Sequence, residues 1–393
     1  MSGRFSSSFS RHGWELAAVL VGFAMCATGG AKDDPKKTTG VPAGVPQYAL
    51  DTSWPKLPLP NRWAFGWISG IFADAHDHIW VVATPRHGES WLLGNPTDPP
   101  GSNRCCAPMP PVAEFDAEGN LLQTWGGPGK GYDWPSGEHG IFVDYKGNVW
   151  IGGNQTRPGP DGSPPDGMVL KFSHDGKFLL QIGGRGPSKG SLDTTLLSGA
   201  AGMFVDKEAN EVYIADGYGN HRVIVFDADT GKFKRQWGAY GKPPTDEKAT
   251  GSDPKSSQFH IVHCVTMSKD RLVYVCDRVN DRLQVFKPDG TFVTEYVYEP
   301  QTRQSGSVGN VTFWPDATQS MMAINDPGNF QTVIVRRGTG EELSRFGHFG
   351  NYAGEYQRNH QMEFDSRGYL YTSEDYRVQR FKIVNGVKPD PHH

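Results

Sequence analysis

Three histidines recur at one position of an internal repeat and could together bind a metal ion. His139, His263 and His360 each open an apolar segment, whereas the other histidines, out of 13 in 393 residues, follow no such order. Three imidazoles that leave one coordination position open are typical of catalytic zinc. Imidazole also binds iron and copper. Three channel-lining histidines that bond only to water and backbone are the simpler alternative.

Two polar loops supply further candidates for chemistry. Tyr218 lies in the segment DGYGNHR and Arg278 in DRVNDR, while Arg86 follows an apolar run in TPR. A phenol acts as a base near neutral pH where cations favour its ionised form, and arginine binds carboxylates through paired hydrogen bonds. The simpler interpretations are a tyrosine that packs on the neighbouring unit and an arginine paired with Asp277 or Asp281.

A repeat after Trp67 would position these side chains. Its strand-like segments are four to six residues long, are rich in Val, Ile, Phe, Tyr and Trp, and are separated by Asp, Gly and Asn turns. Six first halves and five second halves occur. The first halves begin at Ser69, His139, Ala201, His263, Gly309 and His360. Six four-stranded units predict an all-β fold, a six-bladed β-propeller.

The propeller fold predicts where the candidates meet. Tyr48 to Asp51 can supply the missing outer strand of the last unit, which gives one domain over residues 48–386. First strands line the central channel, so histidines in every second blade converge on its axis. Loops between second and third strands emerge at the same end, near Tyr218 and Arg278. Aspartates that precede hairpin turns are assigned a structural role: Asp74, Asp144, Asp206 and Asp365.

Composition excludes several classes of protein. Gly 49 and Pro 29 make up one residue in five, which disfavours a helical bundle. Lys+Arg 39 against Asp+Glu 43 gives a net charge of −4, so no nucleic-acid partner is expected. The expected partner is a small-molecule or peptide substrate, and the expected state is a monomer.

The N-terminal residues predict export. Basic residues precede an apolar stretch from Leu16 to Ala27, and small residues follow it, which is typical of a signal peptide over residues 1–31. That stretch is short for a bilayer span, so no stable membrane span is expected in the mature form. Residues 32–47 form a flexible leader and 387–393 a polar tail. A periplasmic or secreted protein is predicted, with lipid anchoring at Cys26 as the alternative.

Export permits disulfides, and four cysteines remain after the signal peptide. Cys264 and Cys276 flank a hairpin turn, which predicts a cross-strand disulfide. Cys105 and Cys106 lie in a Pro-rich loop and form a vicinal disulfide or stay reduced.

Three segments carry a family resemblance: VYIADGYGNHRVIVF, VHCVTMSKDRLVYVCDRVNDRLQVF and HGIFVDYKGNVWI. They resemble the NHL-repeat propeller of peptidyl-α-hydroxyglycine α-amidating lyase and its exported bacterial relatives, over about Tyr48 to Phe381. The resemblance implies that the three histidines hold zinc. It implies that Tyr218 is the catalytic tyrosine, and that Arg278 and Arg86 are the site arginines.

The sequence departs from the family at several positions. The family histidines usually follow proline, and here they follow Glu138, Val262 and Asn359. The resemblance implies a structural calcium held by the carbonyls of Ile71 and Ile141 and by a carboxylate, but Gln361 takes the carboxylate position. Calcium is therefore not expected. Arg358 replaces a family methionine, a change that bears on which substrates the pocket accepts.

The function implied is a zinc-dependent carbon–nitrogen lyase. It would cleave a carbinolamide of the peptidyl-α-hydroxyglycine type to an amide and an aldehyde such as glyoxylate, with zinc as Lewis acid. Tyr218 would act as base, and Arg278 and Arg86 would hold the substrate carboxylate. Two alternatives stay open: a non-catalytic NHL propeller that binds a ligand or protein, and a zinc hydrolase or lyase of another small substrate. Gluconolactonase-type propellers use carboxylate and Asn ligands, so the histidines argue against that chemistry.

Overall fold

The chain folds into six four-stranded antiparallel sheets arranged as the blades of a propeller. The computed structural model describes residues 41–84, 106–159, 162–247 and 251–390. In the described residues the only helices are three short 3-10 turns: Pro60–Arg62, Ala239–Gly241 and Arg278–Asn280. The predicted all-β, six-bladed β-propeller is confirmed.

The first three blades follow the repeat in chain order. Blade 1 consists of Trp67–Ala73, Ile79–Thr84, Val112–Phe115 and Leu121–Trp125. Blade 2 consists of Glu138–Val143, Val149–Gly153, Asp166–Phe172 and Phe178–Arg185. Blade 3 consists of Ala200–Asp206, Glu211–Asp216, Arg222–Asp227 and Phe233–Trp237.

The last three blades repeat this order, with one exchange of strands. Blade 4 consists of Val262–Met267, Val273–Asp277, Arg282–Phe286 and Phe292–Val297. Blade 5 consists of Asn310–Phe313, Met321–Asp326, Gln331–Arg336 and Glu342–Phe346. Blade 6 consists of Met362–Phe364, Leu370–Ser373, Val378–Asn385 and the N-terminal strand Gln47–Leu50. A separate two-stranded parallel pair joins Trp63–Ala64 to Ala107–Pro108.

The N-terminal strand closes the ring as the sequence predicts. Gln47–Leu50 pairs antiparallel with Val378–Asn385. Asp51, at the predicted end of the strand, follows it, and its carboxylate accepts hydrogen bonds from the Arg380 guanidinium. The first and last segments of the propeller therefore share one sheet.

Apolar packing joins each blade to the next. Within the described residues, a cluster of buried apolar side chains lies at each of the six junctions, including the one between blades 6 and 1. Strands such as Val223 to Phe226 are buried on both faces because each sheet lies between two others. Burial of apolar area is the main stabilising term in such packing, and it holds the first strands around a common axis.

The cysteine and N-terminal predictions have different outcomes. Cys264 and Cys276 are paired across the first two strands of blade 4 and form the predicted disulfide. Cys26, Cys105, Arg86 and the predicted signal peptide lie outside the described residues. The part of the chain that the structure describes contains no helix long and apolar enough to cross a membrane.

Candidate metal centre

His139, His263 and His360 converge at one end of the central channel. All three are buried, and one ligand atom from each lies within 4.8 Å of those of the other two. The Nε2 atoms of His139 and His360 are 3.1 Å apart. The ring centroids are separated by 4.7 to 5.2 Å. The structure therefore brings the three predicted residues together.

Backbone carbonyls from the neighbouring blades orient the imidazoles. The Nδ1 atom of His139 lies 2.7 Å from the Ala201 oxygen, and that of His263 lies 2.6 Å from the Gly309 oxygen. For His360 the acceptor is the Ser69 oxygen, at 3.0 Å. A carbonyl only accepts, so each Nδ1 carries the proton and each Nε2 presents a lone pair. The repeat-column residues of blades 1, 3 and 5 thus orient the histidines of blades 2, 4 and 6.

The three histidines are neutral. Burial lowers the pKa of His139 to about 3, and the nearby Arg278 and Arg358 charges act in the same direction. Burial and neighbouring charges also hold the pKa values of His263 and His360 well below the usual range. Neutral imidazole is the form that binds metal ions.

A local bulge aims His139 into the channel. The pairing register between the first two strands of blade 2 shifts between His139 and Ile141, and Gly140 has φ +70. A Cβ atom on Gly140 would lie 2.5 Å from the Ala201 oxygen, the same atom that bonds His139. Glycine is therefore required at position 140 for two reasons: the left-handed backbone conformation and the close approach of the Ala201 carbonyl.

Tyr218 reaches the triad from the loop that follows the second strand of blade 3. Its Oη atom lies 3.0 Å from Nε2 of both His139 and His263. The loop is braced below it, because the buried Asp216 carboxylate accepts hydrogen bonds from Asn220 and Arg222. Tyr218 also packs partly against the core between blades 3 and 4. Tyr218 thus contacts the triad through its hydroxyl and the core between blades 3 and 4 through its ring. The contacts expected from both interpretations are present.

Arg278 takes the equivalent place in blade 4. Asp277 is occupied by Asn280 and Arg282, so it does not pair with Arg278. The Arg278 guanidinium lies over the Tyr218 ring at 5.6 Å, and Nη1 is 3.5 Å from the Tyr218 hydroxyl. Its Nε atom is buried without a hydrogen-bond partner. Among the described residues no carboxylate pairs with Arg278, so its charge is available to a ligand.

Other sequence-based assignments concern residues away from the triad. The carboxylate of Asp144 accepts bonds from the backbone of its own turn and from Trp150 Nε1, and Asp74 has the same pattern with Trp80. The structural role predicted for these aspartates is confirmed. His260 bonds to the Gly251 carbonyl at 2.9 Å and lies apart from the triad.

Sequence reasoning missed Trp67 as a residue at the triad. The ring of Trp67 lies 5.4 Å from that of His360 and 6.3 Å from that of His139. The Arg358 guanidinium lies over the Trp67 ring, 5.5 Å from its centroid. Trp67 lies two residues before Ser69, the first position of the repeat column. That spacing was the available signal.

A small cavity continues along the channel beneath the histidines. It has a volume of about 50 Å³, and its lining includes Ile71, Ile141, Gln361 and Glu363. Glu363 is half-buried and accepts a hydrogen bond from the Thr312 hydroxyl. Burial raises the pKa of Glu363 to about 7. Gln361 therefore lies in the channel, as the resemblance implies, with a neutral amide instead of a carboxylate.

The donor set fits a transition-metal ion. Two lone pairs face each other across 3.1 Å between His139 and His360, an unfavourable arrangement that a bound cation would resolve. Three neutral imidazoles with protonated, hydrogen-bonded Nδ1 atoms are the usual environment of a histidine-bound zinc. The hydroxyl of Tyr218 borders the remaining open side. The residues present thus suit zinc in a three-histidine site.

Fold and site together define a six-bladed β-propeller with a buried histidine triad at one channel mouth. No family model matches the sequence. The chain is similar to NHL repeat-containing protein 3 of Mus musculus, with 31% identity over 249 residues, which are 62% of this chain and 58% of that protein. It is also similar to peptidyl-glycine alpha-amidating monooxygenase A of Xenopus laevis, with 29% identity over 168 residues.

These matches bear out the sequence-based recognition of NHL-repeat and amidating-enzyme homologues. The Xenopus match covers 42% of this chain and 16% of that protein, so the chain spans only part of the relatives it matches. Among solved structures, a streptogramin B lyase aligns with a TM-score of 0.50 and 13% identity, and covers 86% of this chain and 98% of that chain. At that identity the likeness concerns the fold alone.

Proposed function

We propose that the protein is an exported, zinc-dependent lyase that cleaves a carbinolamide to an amide and an aldehyde. The proposed substrate is of the peptidyl-α-hydroxyglycine type, and the proposed aldehyde is glyoxylate. The observation that carries the proposal is the meeting of three imidazole lone pairs with one phenol, 3.0 Å from two of them. Similarity to an amidating monooxygenase supports this reaction class.

The residues have distinct roles in this reaction. The Nε2 atoms of His139, His263 and His360 would hold zinc, which when bound would supply Lewis-acid polarisation of a substrate oxygen. Oη of Tyr218 takes the proton of the substrate hydroxyl. The electron pair of that O–H bond forms the aldehyde C=O, and the C–N bond breaks. The amide nitrogen then takes the proton back from Tyr218, so the products are a primary amide and an aldehyde.

Arg278 has two tasks. Its guanidinium lies 3.5 Å from the Tyr218 hydroxyl and over the Tyr218 ring, so it holds the phenol in place beside the histidines. Its unpaired N–H groups suit the carboxylate next to the reacting carbon. Arg86 remains a second candidate for that carboxylate and lies outside the described residues.

Export is part of the proposal. The disulfide between Cys264 and Cys276 supports it, because such bonds persist in oxidising compartments. Mass spectrometry of exported protein with and without alkylation tests this point. Recovery of both cysteines as free thiols would contradict it.

The reaction is tested with zinc-loaded protein and N-benzoyl-α-hydroxyglycine, by measuring released glyoxylate. Activity should disappear on chelation and return with added zinc. A panel of lactones and esters is assayed in parallel. A zinc-loaded protein that releases no glyoxylate above the buffer rate overturns the proposal, and hydrolysis of a lactone or ester would favour the alternative zinc hydrolase.

A further inference from the structure

Arg358 places a second cation at the mouth of the triad. It lies two residues before His360, and its side chain is 53% exposed. Its guanidinium lies over the Trp67 ring at 5.5 Å, and that ring lies 5.4 Å from the His360 ring. The Trp67 ring and the Arg358 guanidinium thus form one wall of the channel mouth, on the side of His360.

Asp375 fixes this wall in place. Its Oδ1 atom accepts a hydrogen bond of 2.7 Å from Trp67 Nε1, and its backbone carbonyl accepts one from the Ile68 N–H. The same Oδ1 atom lies 3.9 Å from Arg358 Nη1, beyond hydrogen-bond distance. In the described ranges, no hydrogen bond occupies the Arg358 guanidinium. A stacked guanidinium with free donors is well suited to a planar carboxylate.

A second arginine stacked on an aromatic ring also borders the triad. Arg278 lies over Tyr218, which contacts His139 and His263, whereas Arg358 lies over Trp67, beside His360 and His139. Two guanidinium groups therefore flank the triad, and Asp375 is the carboxylate near one of them. This local excess of positive charge attracts anions and raises their local concentration.

We propose that the mouth accepts a substrate with two acidic groups. On the basis of the proposed function, Arg278 holds the carboxylate beside the reacting carbon. Arg358, stacked on Trp67, holds a second carboxylate on the acyl side of the amide. The preferred substrates are then small N-acyl-α-hydroxyglycines whose acyl chain ends in an acid. Arg358 is a residue that determines specificity, and it takes no part in the chemistry.

Two substrates that differ in one acidic group test this assignment. N-succinyl-α-hydroxyglycine carries the second carboxylate, and N-butanoyl-α-hydroxyglycine lacks it. The unmodified protein should favour the succinyl substrate in kcat/KM by about tenfold to a hundredfold, the range expected for hydrogen bonds to a charged group. Arg358→Met should reduce this ratio to about one, chiefly through KM, and Arg358→Lys should restore part of it. Arg336→Met, at an exposed ion pair with Glu341, is the matched control and should keep the ratio.

Two kinetic outcomes overturn the assignment. A ratio near one in the unmodified protein means that no acyl-side carboxylate is recognised. An equal loss for both substrates in Arg358→Met means that Arg358 holds the carboxylate that they share. Thermal unfolding of each variant identifies any that fail to fold, and Arg358→Lys then provides the decisive ratio.

A binding measurement separates this inference from the proposed reaction. N-succinylglycine and N-butanoylglycine lack the reactive hydroxyl, so calorimetry reports their affinities without turnover. Tighter binding of the succinyl compound that is lost in Arg358→Met supports the subsite even if no carbinolamide is cleaved. Equal affinities together with equal turnover of both substrates leave the proposed reaction standing and overturn the subsite.

Discussion

Among the residues that the structure describes, two clusters of possible metal ligands lie at opposite ends of the blades. The triad at the channel mouth contains three imidazoles whose facing atoms are all acceptors. The second cluster, at the other end, consists of Asp74, His78 and the buried Glu114. His78 Nδ1 and, from outside this cluster, His174 Nε2 lie 2.7 Å and 3.1 Å from one oxygen of Glu114. There each imidazole can donate its proton to the carboxylate, so the groups satisfy one another. The comparison shows that a metal site needs ligand atoms that all face one another as unprotonated lone pairs. Whether they do so depends on the hydrogen bonds that each ligand makes through its other atoms.

Removing one imidazole from each cluster gives the largest expected contrast. His263→Ala should lower zinc affinity by more than about a hundredfold and abolish glyoxylate release, because two ligands hold zinc poorly. His78→Ala should retain both properties. Elemental analysis after dialysis and the glyoxylate assay check this. Full zinc content in His263→Ala would show that the triad is not the metal site. Loss of zinc in His78→Ala would show that the second cluster binds it.

Tyr218→Phe should separate proton transfer from metal binding at the triad. Loss of a proton-transfer group costs about a hundredfold to ten-thousandfold in rate, so kcat should fall within that range while bound zinc is retained. Tyr145→Phe is the matched control, since its hydroxyl bonds to Asn210 on the exposed surface. An unchanged kcat in Tyr218→Phe would remove the base assignment.

Gly140→Ala should weaken the triad through the backbone. A methyl group there displaces the Ala201 carbonyl that orients His139, and loss of such support typically lowers metal affinity about tenfold to a hundredfold. Gly147→Ala pays the same left-handed backbone cost, at φ +77, but its Cβ meets open space. Competition titrations with a zinc chelator compare the two. Equal affinities would mean that the carbonyl contact does not matter.

Glu114→Gln gives the smallest effect and concerns the other cluster. Glu114 bonds to two histidines and to Gln123, so its replacement should lower the free energy of unfolding by about 1 to 3 kcal/mol. Zinc content and turnover should stay unchanged. Urea denaturation supplies the first measurement and elemental analysis the second. Loss of one zinc equivalent would show that this cluster binds metal after all.

The sequence predicts the fold well because the same pattern of strands and turns recurs in six units. Strand pairing, closure by the N-terminal strand and the bond between Cys264 and Cys276 all follow from strand periodicity and hairpin turns. The meeting of His139 with His263 and His360 follows from blade alternation. These features depend on side-chain types at fixed intervals, which one sequence displays directly.

Other features depend on backbone geometry that side-chain types do not record. The sequence does not mark the carbonyls of Ser69, Ala201 and Gly309 as hydrogen-bond acceptors, since every residue has a backbone carbonyl. The bulge at Gly140 and the stack of Arg358 on Trp67 arise where segments distant in sequence meet at the channel mouth. Asp375 supports that stack from 308 positions away from Trp67. The catalytic roles of Tyr218 and Arg278 remain predictions.

The bond between His360 and the Ser69 carbonyl crosses the junction between blade 6 and blade 1. During synthesis, the segment near residue 69 is made long before the segment near residue 360. The third imidazole therefore gains its orientation only when blade 6 has docked onto the first strand of blade 1. For the zinc site proposed above, we therefore expect metal uptake by the full triad to come late in folding, so that it would report ring closure.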